Sequence, residues 1–482
     1  MSPNNFDLVA ASRREMIDQG FTPDIPPEAE RQVDGIHLLP DTSLRDLTAL
    51  LWSSIDNDDS RDLDQVEWAE RVGEKIRVLV AIADVDSAVA KGTPVDRYAA
   101  LETTTVYAGV HTFPMLPERL STGLTSLSED GERAAVVIEF AVANDGSFDA
   151  TAFYRARVRN HAQLTYNAVG AWLEGKAAAP AKVAASPELQ AQLKLQDEAA
   201  QKLRASRHRL GALTFDRMEA EPVMKDGRVT AIAARVSNRA AHLIEDLMIA
   251  ANETMAQSMQ AAGVSSIRRV VKAPERWARI VTLAESLGEK LPPQPDAGAL
   301  DAFLVRRKTA DPIHYEDLSL SVLKLMGPGE YVLSRPGDAG QGHFGLAAHD
   351  YTHSTAPNRR FADLVAQRLV KALAAHAPAP YTDEELNAIA RNCTLKEDAA
   401  RKVQRNMLKR MAAVALAPRI GQTYNAVVTG ANQKGVFVRV LDPPVEGRVM
   451  RGEQGLDVGD RLRVTLLNTD AQRGFIDFGR AS

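Results

Sequence analysis

The segment beyond Pro418 constrains the fold most. GQTYNAVVTGANQKGVFVRVLDPPVEGRV, GDRLRVTLLNTD and GFIDFG alternate short β-branched runs with glycine turns. Five short strands in about 60 residues predict a small barrel of the OB type. Its aromatics Tyr424, Phe437 and Phe475, with Lys434, Arg439 and Arg448 nearby, either form an outward face that stacks bases and meets phosphates or pack into the barrel core. Just before it, Thr382 followed three residues later by Glu385 is a capping-box pattern. A long helix is expected from there to Leu416, carrying Lys402, Arg405, Lys409 and Arg410 and stopped by Pro418.

The rest of the chain mixes strands and helices without a repeat. KIRVLVAIA (75–83), AAVVIEFAV (134–142) and RVTAIAARV (228–236) read as strands, whereas PELQAQLKLQDEAAQKLRASRHRL and NRAAHLIEDLMIAANETMAQSMQ have helical spacing. The front has a helical pattern that ends at Gly20, then Asp24, Pro26 and Pro27 at the start of a second short helix. An α+β fold follows, divided into a helical segment 1–36, a mixed body 37–380, a connecting helix 381–418 and a barrel 419–482. At 482 residues the chain exceeds one ordinary core.

Composition excludes some classes. No apolar run approaches the ~18 residues of a membrane span, and the start lacks the basic and apolar segments of a secretory signal. The single cysteine, Cys393, forms neither an internal disulfide nor a cysteine-based zinc site, so a reducing cytoplasm is the expected setting. A monomer is expected. The net charge of −5 conceals an asymmetry: residues 391–482 hold 16 Lys and Arg against 9 Asp and Glu, a net +7, leaving −12 for the remainder. A basic end on an acidic body suits a polyanion binder whose body gathers carboxylates, and equally suits ordinary variation of surface charge.

Two short stretches carry chemistry. SIDNDDSRDLD places six Asp or Asn side chains between Asp56 and Asp64. Carboxylates this close raise one another's pKa unless a cation sits among them, and oxygen-only ligands select magnesium or manganese over zinc. Asp62 and Asp64, two apart, point the same way from an extended segment. The run alone reads equally as a solvated acidic loop. The second stretch, GHFGLAAHDYTHSTAPNRRFADL (342–364), feeds a helix expected to begin near Pro357. Arg359 and Arg360 would then stand at the positive end of the helix dipole, a conflict that a bound phosphate resolves and that a carboxylate such as Asp363 resolves as well. His343, His349 and His353 match no common zinc spacing. An oxygen-rich metal site beside a phosphate-binding arginine suits transfer of a phosphoryl group to water.

With these motifs the chain resembles the ribonuclease II family of RNB-domain exoribonucleases. The resemblance runs through RDLT, SID and DLD, then IADVD and TVYAGVHTFPMLPERLSTGLTSL, then EDLMIAANE, HFGLA and YTHSTAPNRRFADL in the family's order. The final barrel is similar to the family's S-one type RNA-binding domain. The resemblance implies processive 3′-to-5′ hydrolysis of single-stranded RNA to nucleoside 5′-monophosphates with magnesium. It implies Asp56, Asp62 and Asp64 as metal and catalytic carboxylates, Arg359 on the scissile phosphate, Tyr107 stacking near the 3′-terminal nucleotide and Glu397 near that nucleotide. Arg360, Lys434, Phe437 and Arg439 complete the expected RNA contacts.

Two departures qualify this. The family writes D-x-D-D where this chain has Gln65 in fourth place, whose carbonyl can touch a metal but brings no charge, so Asp58, Asp59 or additional water is expected to complete the metal shell. About 40 residues at the front cannot contain the cold-shock barrels of the better-known members, so a different entrance and a changed tolerance for structured RNA are expected. The alternative reading is a catalytically impaired RNA-binding regulator of the same fold.

Overall fold

The β-branched runs become a sheet that curls back on itself. KIRVLVAIA is the strand Lys75–Ala83, paired antiparallel with Gln65–Val72 on one side and Glu132–Val142 on the other. It is buried continuously from Val78 to Ala83, the pattern of a strand covered on both faces. Glu132–Val142 pairs with the 18-residue strand Phe148–Thr165, which pairs in parallel with Trp52–Asp56 from Asn160 onward. Ser53 opposite Glu67 returns the pairing to Gln65–Val72, so five strands link in a cycle. The computed structural model describes residues 6–38, 41–213, 215, 219–225, 227–311, 315–338, 340, 342–433 and 435–481.

Helices Pro187–Arg209 and Arg239–Ala261 pack on this sheet and on each other. The helix Phe361–Ala374 is pinned to the turn after Ala83: Gln367 Nε2 donates to the Ala83 carbonyl at 2.8 Å, Arg368 pairs with Asp86 at 2.8 Å, and Lys371 pairs with Asp84 at 2.7 Å. The two aspartates of IADVD thus bind a helix.

At the front, Leu8–Asp18 and Pro27–Asp34 are helical as expected, though Asp24 caps nothing and instead pairs with Arg13 at 2.6 Å. The long helix runs Asp383–Leu416 with both hydrogen bonds of the Thr382/Glu385 capping box. Thr423–Asn432, Gly435–Val440, Val445–Arg451, Arg461–Asp470 and Phe475–Arg480 close into the expected five-stranded barrel. Met407 and Met411 of the long helix share one buried cluster with Val428, Val438 and Phe478 of the barrel, Met16 and Phe21 of the front segment, and Val106 and Phe113. Among the described residues no helix is long and apolar enough to cross a membrane.

Asn160 stands where the long strand changes partner. It is 1% exposed, and its Nδ2 donates to Ser54 Oγ and to the Leu127 carbonyl, both at 2.9 Å, while its Oδ1 accepts the Ala162 N–H at 3.1 Å. Three segments are thereby fastened beneath the acidic loop. Each buried group left without its partner costs about 1–3 kcal/mol. Asn160→Ala should therefore lower stability by roughly 3 kcal/mol, read as a fall in thermal midpoint, while Asn167→Ala on the exposed helix nearby should change it little.

Candidate active site

The acidic loop leaves the sheet at Asp56, opposite Thr165, and rejoins it at Gln65. Asp56 Oδ1 accepts the Asn57 N–H at 2.7 Å and the Ser60 hydroxyl at 2.8 Å. Asp62 is half-buried and receives the Tyr107 hydroxyl at 3.5 Å. Asp64 is 2% exposed and accepts the Asn358 N–H at 3.0 Å. Asp62 and Asp64 accept from different donors, and burial raises the pKa of each, with Asp56 adding to it at Asp62 and Asp62 adding to it at Asp64. Among the described residues no three acidic, histidine or cysteine side chains converge closely enough to grip an ion.

The arginine stretch differs from its expectation in one respect. The helix begins at Phe361, and Pro357–Arg359 form a turn before it, because Asp363 accepts the Ala356 N–H at 2.8 Å and folds the preceding segment back. Arg360 is consumed structurally, with two bonds of 2.8 and 2.7 Å to Asp363. Arg359 stands outside the helix with its side chain 48% exposed and its Nε 3.6 Å from Asp64 Oδ2. Strand-like bonds from Thr105 N–H to the Arg359 carbonyl, 2.9 Å, and from Phe361 N–H to the Thr103 carbonyl, 2.8 Å, hold the turn against the segment that carries Tyr107. Tyr107 is 41% exposed. Asp62, Asp64, Tyr107 and Arg359 are thus gathered from three stretches of chain.

Other expected residues lie elsewhere or are occupied. Glu397 is gripped by Arg269 at 2.5 and 2.9 Å and by Arg401 at 2.9 Å, partners too far along the chain, in the first case, for local pattern to suggest. Phe437 and Arg439 are half-buried on the outer side of a barrel strand whose alternate residues, Val436, Val438 and Val440, are buried. Lys434 lies outside the described residues. Asp58 receives Asn167 Nδ2 at 2.6 Å and is exposed, as is Asp59. Tyr331 holds His353 Nδ1 at 2.7 Å, and His343 Nδ1 accepts the Leu346 N–H at 3.1 Å, hydrogen bonds that give these histidines structural roles. One residue escaped the sequence reading: Glu67, wholly buried, with neither carboxylate oxygen hydrogen-bonded. Its spacing of two from Gln65 was the visible signal.

Charge at the site is unbalanced. Burial pushes the Asp64 carboxyl up to about 7, opposed by Arg359 and the Asn358 N–H, and burial drives Glu67 well above the carboxylate range with Asp56 adding to it. An all-oxygen donor set that is short of positive charge has the chemistry that suits a hard divalent cation.

The sign of this strain is testable. Between about pH 4 and pH 7 the folded chain holds the Asp64 proton more tightly than the unfolded chain, so stability falls as pH rises through that window. A shift from 3.8 to about 7 sets a ceiling of roughly 4 kcal/mol. In metal-free buffer Asp64→Asn should therefore melt higher than the parent at pH 8, with the gain shrinking toward pH 4; a lower midpoint at pH 8 refutes the strained carboxylate.

Residues 44–376 match the RNB domain and residues 422–481 the RNase II-type exonuclease C-terminal S1 domain. Ribonuclease R of Escherichia coli (strain K12) is 30% identical over 95% of this chain and 60% of its own length, and Ribonuclease R 1 of Lactococcus lactis is 28% identical over 98% and 60%. The chain thus spans about three-fifths of the length of these curated relatives. Mycoplasma genitalium RNase R in complex with ribose methylated single-stranded RNA superposes with a TM-score of 0.88 at 23% identity, over 99% of this chain and 79% of that one. Yeast Ssd1, a pseudonuclease, gives 0.71 at 18% identity, over 96% and 58%. The RNB match covers well over half of the sequence and surrounds the aspartate and arginine segments just described, so this chain belongs to the RNB-domain family.

Proposed function

We propose that this chain is a 3′-to-5′ exoribonuclease that hydrolyses single-stranded RNA to nucleoside 5′-monophosphates. The observation that carries the proposal is the juxtaposition of Arg359, half-exposed, with the buried Asp64 at 3.6 Å, beside Asp62 and Tyr107. Family membership supports the same reading, as do relatives named Ribonuclease R.

Each side chain has work that its position allows. Arg359 presents a guanidinium to a phosphate oxygen and neutralises charge that grows there during displacement. The Tyr107 ring, exposed and steadied by Asp62, offers a platform for the terminal base. Asp56, Asp62 and Asp64 are the residues that would hold magnesium, and manganese suits the same donors. When bound, the ion supplies an activated water and steadies the leaving oxygen. Arg360 acts by fastening the Arg359 turn to Asp363, and Glu397 by fastening Arg269, each at one remove from RNA. On the barrel, Phe437 and Arg439 guide incoming strand, with Lys434 the third member of that set. A relative solved in complex with double-stranded RNA supports substrates that contain structured regions.

5′-labelled RNA incubated with magnesium should shorten progressively from its 3′ end and release mononucleotides, whereas matching DNA should persist. Internal cleavage, or binding without shortening, would exclude an exonuclease and in the latter case favour an RNA-binding regulator. Asp64→Asn should abolish shortening while RNA is still retained in a filter-binding assay. Arg359→Ala should lower the single-turnover rate by about 100-fold or more; a parental rate would remove Arg359 from the reaction.

A further inference from the structure

The barrel strands close in the order Thr423–Asn432, Gly435–Val440, Val445–Arg451, Phe475–Arg480, Arg461–Asp470 and back to the first. Arg461–Asp470 and Phe475–Arg480 are therefore the two strands that do not neighbour Gly435–Val440, the bearer of Phe437 and Arg439. A surface cavity of about 380 Å³ opens on those two strands, lined by Arg451, Arg463 and Arg480 together with Thr423 and Thr465, whose hydroxyls meet at 3.1 Å. Register brings the arginines together. Val464 and Leu466 are buried in the barrel, so Arg463 and Thr465 face outward. Arg480 stands opposite Val464, beside Arg463, and Arg451 stands opposite Gly479. Gly479 leaves bare backbone at the cavity, where a Cβ would meet Leu467 Cδ1 at 3.2 Å. Gly452, at φ +74°, brings the turn after Arg451 so close that a Cβ there would lie 2.8 Å from Arg480 Cβ.

Charge in this cavity has one sign. All three arginines are exposed, and among the described residues none of them holds an ion pair or a side-chain hydrogen bond. No acidic side chain lines the cavity. Arg473, on the turn between the same two strands, has by contrast Asp470 at 3.8 Å. Like charges gathered without a counter-charge repel one another, and an anion brought among them relieves the repulsion. Guanidinium forks match phosphate oxygens in pairs, and threonine hydroxyls bind the same oxygens. No aromatic ring lines the cavity, so a base finds nothing there to stack on.

We propose that Arg451, Arg463 and Arg480 form a second nucleic-acid contact on the barrel, one that holds backbone phosphates in the 5′ part of an RNA whose 3′ end lies at the aspartates. The site reads charge alone and is indifferent to base and sugar. This rests on the reading of RNA as substrate and adds to it a surface remote from Phe437 and Arg439. A strand that reaches both sides bends round the barrel, so a long substrate is held at two places and a short one at a single place. The second contact then acts within one complex, where its effective concentration is high.

Equilibrium binding to the full chain without magnesium, so that nothing is cut, reads the site on three probes. They are a short RNA, the same RNA with a 5′ DNA tail, and the same RNA with a tail of uncharged methylphosphonate linkages. The parent should bind the charged-tail probe more tightly than the other two. Joint substitution Arg451→Gln, Arg463→Gln and Arg480→Gln should erase that gain, a loss of about 10- to 50-fold at about 0.15 M salt, and should flatten the plot of log affinity against log salt by about 2. The three matching lysine substitutions keep the charge and should keep most of that slope. A glutamine variant that gains as much from the charged tail as the parent overturns the proposal, and so does a parent that binds the short RNA but ignores the tail's charge. An equal loss on the short RNA overturns it as well, because the arginines then serve no separate contact. A parent that binds none of the three probes defeats the reading of RNA as substrate, and this proposal with it.

Discussion

The site depends on one buried acceptor. Asp64 sits in the interior on the Asn358 N–H, joining two stretches separated by almost three hundred residues, and Arg359 is the next residue along. That contact ties the turn bearing the arginine directly to the acidic loop, while the bonds to Thr103 and Thr105 hold the turn from its other side. It also explains why the site is electrostatically strained: the carboxylate that organises it has given up water and received one N–H and a guanidinium 3.6 Å away in exchange. Groups arranged this way are unfavourable in isolation and are kept because they are ready for a charge that arrives later.

Supporting elements make that acceptor stationary. Asn160 ties the long strand to Ser54 and Leu127, so the strand that ends in Asp56 cannot shift without breaking buried bonds. On the opposite side, Arg368 and Lys371 clamp the helix Phe361–Ala374 to Asp84 and Asp86. The turn that bears Arg359 is thus anchored through the helix that follows it, and the acidic loop through the strand that precedes it.

Much of this was legible in the sequence where the signal is local. The strand 75–83 announced itself by continuous β-branched residues, the long helix by its capping box, and the barrel by strands between glycine turns. What escaped required partners remote in sequence. Pro357 signalled a helix start, but Asp363 folds back on Ala356 and delays it to Phe361. Glu397 read as a free helix carboxylate, whereas Arg269, on a strand remote in sequence, grips it. Closure of the sheet turns on Asn160, an unremarkable residue in a strand pattern. Glu67 was visible as a letter, but its isolation was not, because burial is a property of everything packed around it.

The shared cluster around Met407 and Met411 has a consequence for modularity. Gly109, at φ +81°, brings the loop beyond Tyr107 so close to Met411 that a Cβ there would lie 2.4 Å from the methionine methyl carbon. The same methionine belongs to the core that holds the barrel, and Arg410 beside it pairs with Glu15 of the first helix at 2.9 Å. The barrel is therefore no detachable tail. Exchanging it for one from a relative would carry an error of fit through Met411 to the loop beside the tyrosine that faces the acidic loop.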